Sequence, residues 1–467
     1  MVQASLAPTP RTLGPLARVA LAAAAAAALV TGALNVRPWF DPSGGAIAPV
    51  TSSAVAALVG AGERPATALD AQIAALQQTL RDGGGADKGR ASVMLAQMYL
   101  QKVRETGDPS YYPKVEALFQ QALAIKQDDA MAMIGLGTLA LARHQFADAL
   151  VWGERAKSFA PASVPVYGVI GDALIELGRY DEAVTAAQTM VDLRPDLRSY
   201  ARVSYLRELM GDRAGAIAAM EQAAIAGSSY PENVAWVQVQ LGNLRFEGGD
   251  VAGAARAYDA ALAAVPGYAL GIAGQGKIAA AEGELGRAAS LYSQAVRTIP
   301  LPEFLTAYGD VLTAWGRPAE AATQFALVSA IQQIYAASGV DTDLELALFT
   351  ADYGNAADWP SAVTRARAVA AARPSIVAYD VLAWTLYKTG DFEGAAAASE
   401  QALRLGTRNA LMEFHAGMIA AARADRERAI ALLDGALTLN PHFSVRYAPV
   451  ARETLAQLRA GDEEVAR

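Results

Sequence analysis

Residues 164–197 read VPVYGVIGDALIELGRYDEAVTAAQTMVDLRPDL. Gly178 divides this stretch, and glycine suits the tight turn between two antiparallel helices because it adopts backbone conformations that other residues avoid. Ala183 lets the second segment approach the first closely, and Pro195 cannot continue a helix. The stretch therefore predicts one helix–turn–helix unit.

The same pattern recurs along most of the chain. Alanines that open the second helix of a pair are spaced by 33 or 34 residues, except for steps of 38 before Ala254 and 41 before Ala362. A fixed period of this length is typical of repeat architectures. The two longer steps predict places where the array bends or a partner enters. The phased alanines are Ala149, Ala183, Ala216, Ala254, Ala288, Ala321, Ala362, Ala395 and Ala429.

The phased residues resemble the tetratricopeptide repeat family, whose units carry an aromatic residue and Leu-Gly in the first helix, then Gly, Ala, an aromatic residue, Ala and Pro. Tyr167, Gly171, Gly178, Ala183 and Pro195 occupy these positions in the quoted unit. The resemblance covers residues 89–443, about ten units. It implies an all-α solenoid, a right-handed superhelix of helix–turn–helix repeats. We expect residues 444–459 to form a C-terminal capping helix and residues 460–467 to form a disordered tail.

Composition excludes several classes of function. The 467 residues include no cysteine and three histidines, so disulfides, thiolate metal sites and a cysteine nucleophile are excluded. The net charge of −8 argues against a nucleic-acid backbone as the main partner. His415 and His442 are isolated in sequence, and His144 occupies a turn position where we expect it on the surface. We predict no metal, no cofactor and no enzymatic activity.

One motif superficially resembles a phosphate-binding loop. Gly271, Gly276 and Lys277 have the spacing of its start, but Ile278 stands where a Mg²⁺-binding hydroxyl is needed. Gly276 is also in phase with the repeat glycines Gly171 and Gly242. The repeat frame therefore predicts that this stretch is part of a first helix.

The N-terminal residues have a different composition from the repeats. Residues 1–40 contain no acidic residue, and Arg11 and Arg18 precede an uncharged run over 19–36. This pattern predicts that 1–36 is a signal peptide, cleaved after Ala33, or a membrane anchor with one transmembrane helix. The repeats would then be extracytoplasmic, in the periplasm or cell envelope; an alanine-rich leader helix in the cytosol is the alternative. A flexible linker over 37–65 and a short amphipathic helix over 66–82 are expected to follow.

The resemblance implies a concave groove, lined by the first helix of each unit, that holds a protein or peptide. Aromatic, amide and charged side chains at its positions can anchor an extended chain. Trp236 and Trp384 have an equally plausible role as packing residues between helices. The predicted groove residues are Asp172, Glu176, Tyr205, Glu208, Trp236, Asn243, Phe246, Glu247, Lys277, Asp310, Asp380, Trp384, Tyr387 and Lys388.

Two classes of function remain open from the sequence. The first is a non-enzymatic scaffold or adaptor, exported or membrane-tethered, that binds a protein partner in the groove. The second is an accessory subunit that captures a glycan or polymer on the groove aromatics for an envelope export or assembly system.

Overall fold

The computed structural model describes residues 68–465, with side chains described as far as residue 460. Over these residues the chain forms 22 α-helices and no β-strand. The helices are α1 (Ala68–Asp82), α2 (Gly85–Thr106), α3 (Tyr112–Ile125), α4 (Ala130–Ala142), α5 (Phe146–Phe159), α6 (Val164–Glu176), α7 (Tyr180–Leu193), α8 (Leu197–Leu209), α9 (Arg213–Ala226), α10 (Pro231–Glu247), α11 (Val251–Ala264), α12 (Ala269–Ala281), α13 (Leu285–Thr298), α14 (Pro302–Ala314), α15 (Pro318–Ala337), α16 (Asp343–Tyr353), α17 (Trp359–Ala372), α18 (Ile376–Thr389), α19 (Phe392–Leu403), α20 (Ala410–Ala422), α21 (Arg426–Leu439) and α22 (Tyr447–Val465).

Helices α2 to α21 form ten consecutive pairs, which we call units 1 to 10. The two helices of each unit pack on one another, and the second helix of a unit packs on the first helix of the following unit at every junction except that of α15 and α16. There the contact is made by side chains such as Phe325 and Tyr353, whose ring centroids are 4.8 Å apart. Helix α1 packs on α2, and α22 packs on α21 through buried Tyr447 and Leu455. The predicted all-α solenoid of tetratricopeptide type is confirmed.

The two ends of the chain differ from the repeats. Helix α22 continues to Val465 and therefore extends beyond the predicted capping helix (444–459) into the range of the predicted disordered tail (460–467). The predicted leader (1–36) and linker (37–65) lie outside the described residues. Within 68–465, no helix combines the length and the apolar character needed to cross a membrane.

Close helix approach explains the small residues at phased positions. The phased alanines Ala183, Ala216 and Ala254 are completely buried. In α10 a methyl carbon in place of the Gly242 hydrogen would lie 2.5 Å from the ring of Tyr258, which is itself fully buried in α11. The absent side chain therefore makes room for the aromatic ring of the partner helix.

The array coils back so that its two halves contact each other. In a solenoid each repeat ordinarily contacts only its neighbours. Here units 1–5 form a first layer and units 6–10 form a second layer. The turn between the two helices of each first-layer unit contacts the loop that follows the unit five positions later, so that unit 1 meets the loop after unit 6. Hydrogen bonds across this boundary join residues 194 to 198 positions apart in sequence. We call the boundary the seam; its five contacts join residue 107 to 299, 143–145 to 338–341, 178–180 to 374–376, 209–213 to 406–408 and 246–249 to 439–440.

Hydrogen bonds and close packing hold the seam together. The Asp341 N–H donates to the Arg143 carbonyl at 2.9 Å, and Arg143 Nε donates to the Ser338 carbonyl at 3.1 Å. The Ile376 N–H donates to the Tyr180 hydroxyl at 2.8 Å. Asn440 Nδ2 donates to the Phe246 carbonyl, also at 2.8 Å. Together with the contacts of residue 107 with 299 and of 209–213 with 406–408, these bonds give every unit of the first layer a partner in the second.

The seam corrects one sequence-based expectation and contains the loop that belongs to one of the long steps. His144 is not a surface residue: its turn docks on the second layer, so the residue is only 6% exposed, in a left-handed backbone conformation (φ 58°). The long step before Ala362 comes from the 20-residue helix α15 and the loop 338–342. That loop contacts the first layer across the seam.

Candidate functional site

The first helices lie on the inner side of the coil. At five unit junctions consecutive first helices contact each other directly: α2 with α4, α4 with α6, α10 with α12, α16 with α18, and α18 with α20. Second helices of consecutive units have no comparable contacts within the described residues. The first helices are therefore the closer-spaced, concave row, and the predicted groove positions belong to this inner surface.

Five of the predicted groove residues are buried and make their contacts within the fold, which leaves little of their side chains open to a partner. Asp172 is 1% exposed and forms a two-pronged ion pair with buried Arg202 of α8. Such a pair satisfies charges that would be costly to bury alone. The other buried members are Glu176, Phe246, Asp380 and Trp384.

Trp384 is a packing residue at the centre of an aromatic cluster in the second layer. It is 2% exposed, and its ring stacks on Tyr387 at 4.8 Å and on His415 at 4.2 Å between centroids. Its indole N–H donates to Asp352, and His415 Nδ1 lies 3.0 Å from an oxygen of Asp380. This ring therefore offers no open platform for a sugar, and the glycan-binding alternative loses its main anchor.

The remaining predicted residues are half-buried, and five of them form one group. We call Tyr205, Glu208, Asn243, Glu247 and Lys277 the central cluster; they come from α8, α10 and α12, the first helices of units 4 to 6. Lys277 Nζ donates to Asn243 Oδ1 at 3.3 Å and lies 5.1 Å above the ring of Phe246. Three consecutive units thus bring an aromatic ring, an amide, two carboxylates and an ammonium to one region of the inner surface.

The charges of the central cluster are partly shielded from water. Burial, and then the neighbouring Glu247 carboxylate, raise the pKa of Glu208 to about 7. Burial also lowers the pKa of Lys277, although Glu247 acts in the opposite direction. Groups with such incomplete solvation gain more from a polar partner than fully hydrated surface groups do.

A second group of polar side chains lies further along the chain. Burial raises the pKa of Asp310 to about 8, with Asp352 acting in the same direction and Arg446 against it. Burial lowers the pKa of Lys388, and its ammonium lies 4.8 Å above the Trp384 ring. Of the other predicted residues, Tyr387 is half-buried beside Trp384, and Trp236 is half-buried in α10.

Several residues that organise these sites were not singled out from the sequence. Arg202 and Asp352 lie on first helices, and Arg373 and Arg446 lie in loops. The sequence pattern assigned none of them a partner, and His415 is isolated in sequence. Only the fold brings them against carboxylates or aromatic rings from other units.

Within the described residues, no group of three or more histidine, aspartate or glutamate side chains could hold a metal ion.

The geometry defines a class of protein: an α-solenoid of helix pairs with a polar inner surface. Sequence models described as tetratricopeptide repeat match residues 164–197, 239–301 and 381–442. No curated protein matches the sequence. These three segments are tetratricopeptide repeats, and the helix pairs of the described residues have the tetratricopeptide fold.

Several solved structures are similar to this chain. The "APC/C hetero-tetramer Cut9-Hcn1" structure is 16% identical, with a TM-score of 0.40, covering 83% of this chain and 81% of that one. TTC0263, a thermophilic TPR protein of Thermus thermophilus, is 21% identical, with a TM-score of 0.34, covering 38% and 92%. PilF of Pseudomonas aeruginosa is 19% identical, with a TM-score of 0.35, covering 48% and 97%.

Proposed function

We propose that the chain is a non-enzymatic scaffold that binds an extended segment of a partner protein along its inner surface, at the central cluster. The observation that carries this proposal is the orientation of the Asn243 amide. Its Oδ1 accepts hydrogen bonds from the Tyr258 hydroxyl at 2.8 Å and from Lys277 at 3.3 Å. Two donors on the oxygen fix the amide plane, and no hydrogen bond within the described residues uses its Nδ2.

An amide held in this way can donate to a carbonyl of an extended peptide. Peptides are commonly recognised through main-chain hydrogen bonds, with side-chain contacts supplying specificity. Tyr205 adds a half-buried ring on the neighbouring first helix, and Glu208 and Glu247 add negative charge. A partner segment with a basic side chain beside an exposed carbonyl matches this surface.

The composition of the first 36 residues supports a location outside the cytoplasm. An export signal or an anchor there would place the repeats in the envelope, secreted or tethered to the membrane. Fractionation of cells that express the full chain tests this part. Recovery of the protein only in the cytosol would contradict it, whereas recovery in the periplasmic or membrane fraction would support it.

Cross-linking in the envelope fraction, followed by mass spectrometry, tests the proposed inner-surface site. The informative variants are Asn243→Ala and Glu247→Lys, because both side chains are half-buried and neither belongs to a buried ion pair. Glu393→Lys is the matched control, since Glu393 is an exposed carboxylate on a second helix. We expect the cross-linked partner to be lost from the first two variants and retained by the control.

Retention of every partner by both inner-surface variants, with unchanged helix content, would contradict the site. Charge reversal at Asp172 is not a usable test, since it would break the buried pair with Arg202 and destabilise the fold.

A further inference from the structure

Four ionisable side chains meet where the seam joins units 2 and 3 to units 7 and 8. His144 and Glu176 belong to the first layer, and Glu345 and Arg373 belong to the second. His144 Nδ1 lies 3.3 Å from Glu345 Oε1, and Arg373 Nη1 lies 3.9 Å from Glu176 Oε2. All four side chains are at most 12% exposed. We call this group the seam cluster.

The seam cluster is incompletely satisfied in its present arrangement. His144 Nδ1 is 2.8 Å from the Asp341 carbonyl, which can only accept, so Nδ1 carries the proton. His144 Nε2, Glu345 Oε2 and Arg373 Nη2 are buried without a hydrogen-bond partner among the described residues. A buried network with unsatisfied polar atoms is energetically costly, and its free energy depends on which of its groups are protonated.

The seam cluster has one arginine for two carboxylates. We propose that the seam is a latch that opens and closes with pH, with Glu176 as the side chain whose ionisation loosens it. When Glu176 is protonated, Arg373 and His144 face only Glu345. When Glu176 ionises, its attraction to Arg373 is opposed by the burial of its charge and by repulsion from the Glu345 carboxylate across the boundary, and separation of the layers restores water to both carboxylates.

Several other ionisable groups surround Glu176, on its own helix and on the elements packed against it. On its own helix α6, Asp172 pairs with Arg202 of α8. Arg143, next to His144, pairs with Glu116 at 2.6 Å. The remaining ionisable groups nearby are Tyr180, Tyr205, Asp341 and Arg404.

The sign of the effect follows from burial. Burial is the largest cause that raises the pKa of Glu176 to about 7, and Glu345 and Asp172 add to it against Arg373. A carboxyl whose pKa is raised in the closed seam favours closure while it is protonated. That contribution is lost as the pH rises toward and through 7. The pKa of Glu176 is about 7 in the closed seam, and its ordinary value in water is 4.5. Because the proton is bound more tightly in the closed seam, ionisation of Glu176 can change the open-to-closed ratio by on the order of 100-fold.

The loop on the second-layer side of the seam has space to move into. A cavity of about 450 Å³ is lined by Val340, Asp341 and Thr342 of that loop, together with Gln332 of α15 and Arg365 of α17. Displacement of the loop away from the first layer would therefore not require the helices behind it to separate. This inference does not depend on what the inner surface binds.

Distance measurement between two spin labels tests the latch. The chain has no cysteine, so Ala147→Cys and Ala337→Cys can be labelled specifically in the full-length protein. Both residues are exposed and flank the seam without a hydrogen bond across it. At pH 5.5 we expect one narrow, short distance distribution; above pH 7 a longer population should appear, while circular dichroism shows unchanged helix content.

Two further variants in the labelled background identify the group responsible. Glu176→Gln cannot ionise and should keep the short distance up to pH 8.5. Asp310→Asn is the matched control, because burial also raises the pKa of Asp310, to about 8, but Asp310 lies in α14, outside the five seam contacts. We expect the pH response of the distance to persist in this variant. A wild-type distribution that does not change from pH 5.5 to 8.5 would overturn the latch, and an unaltered response in Glu176→Gln would overturn the role of Glu176.

Discussion

At the scale of single residues, the structure separates packing side chains from those open to a partner. We expect Trp384→Ala to reduce the free energy of unfolding by about 3–5 kcal/mol, because it leaves a large cavity among stacked rings. Trp315, which is 43% exposed, is the matched control, and its replacement by alanine should cost less than about 1 kcal/mol. Urea unfolding followed by circular dichroism measures both. Equal losses would show that Trp384 is not a core residue.

The buried pair of Asp172 and Arg202 is also a residue-scale feature. Asp172→Asn should destabilise the protein by about 3–5 kcal/mol, because the Arg202 charge stays buried without its counter-ion. Replacement of both by apolar residues, Asp172→Leu with Arg202→Met, should recover most of that loss. Thermal unfolding of the single and double variants measures the difference. A double variant whose loss of stability equals the sum of the losses of Asp172→Leu and Arg202→Met alone would contradict the assignment of these residues as a buried ion pair.

At the scale of the helix, the fit between paired helices depends on glycines that face aromatic rings. Gly242→Ala should destabilise the protein by about 1–2 kcal/mol, because the clash with Tyr258 outweighs the better helix propensity of alanine. Gly84→Ala is the control, since its backbone is extended and no atom lies within 4 Å of the added methyl group. Urea midpoints of the two variants should therefore shift by different amounts. A stabilised Gly242→Ala protein would rule out the close approach.

Helices and their pairing could be predicted from sequence, because Gly178, Ala183 and Pro195 act on neighbouring residues and recur with the unit. The seam could not be predicted. His144 and Asn440 carry no sign of their partners almost 200 residues away, and a turn that docks has the same residue types as a turn that faces water. The burial of Asp172 could not be predicted either, and for Trp384 the sequence left packing and partner contact equally open, because both outcomes depend on side chains from other units.

At the scale of the whole molecule, the seam should couple the two layers during unfolding. Repeat arrays held only by neighbour contacts unfold in parts when their junctions weaken. We expect one urea transition at pH 6 for the wild-type chain, and two for a variant with Tyr180→Phe, Thr407→Val and Asn440→Leu, which removes three hydrogen bonds across the seam. Circular dichroism and tryptophan fluorescence should coincide only in the wild type. Coincident single transitions in both proteins would contradict the coupling.

The most direct test of the two-layer coil is small-angle X-ray scattering of the full chain at pH 6, compared with the same triple variant. We predict that the wild-type curve agrees with a coil in which the layers are in contact, and that the variant has a larger radius of gyration at unchanged helix content. A wild-type protein already as extended as the variant would contradict the account, because the layers would then not be joined in solution.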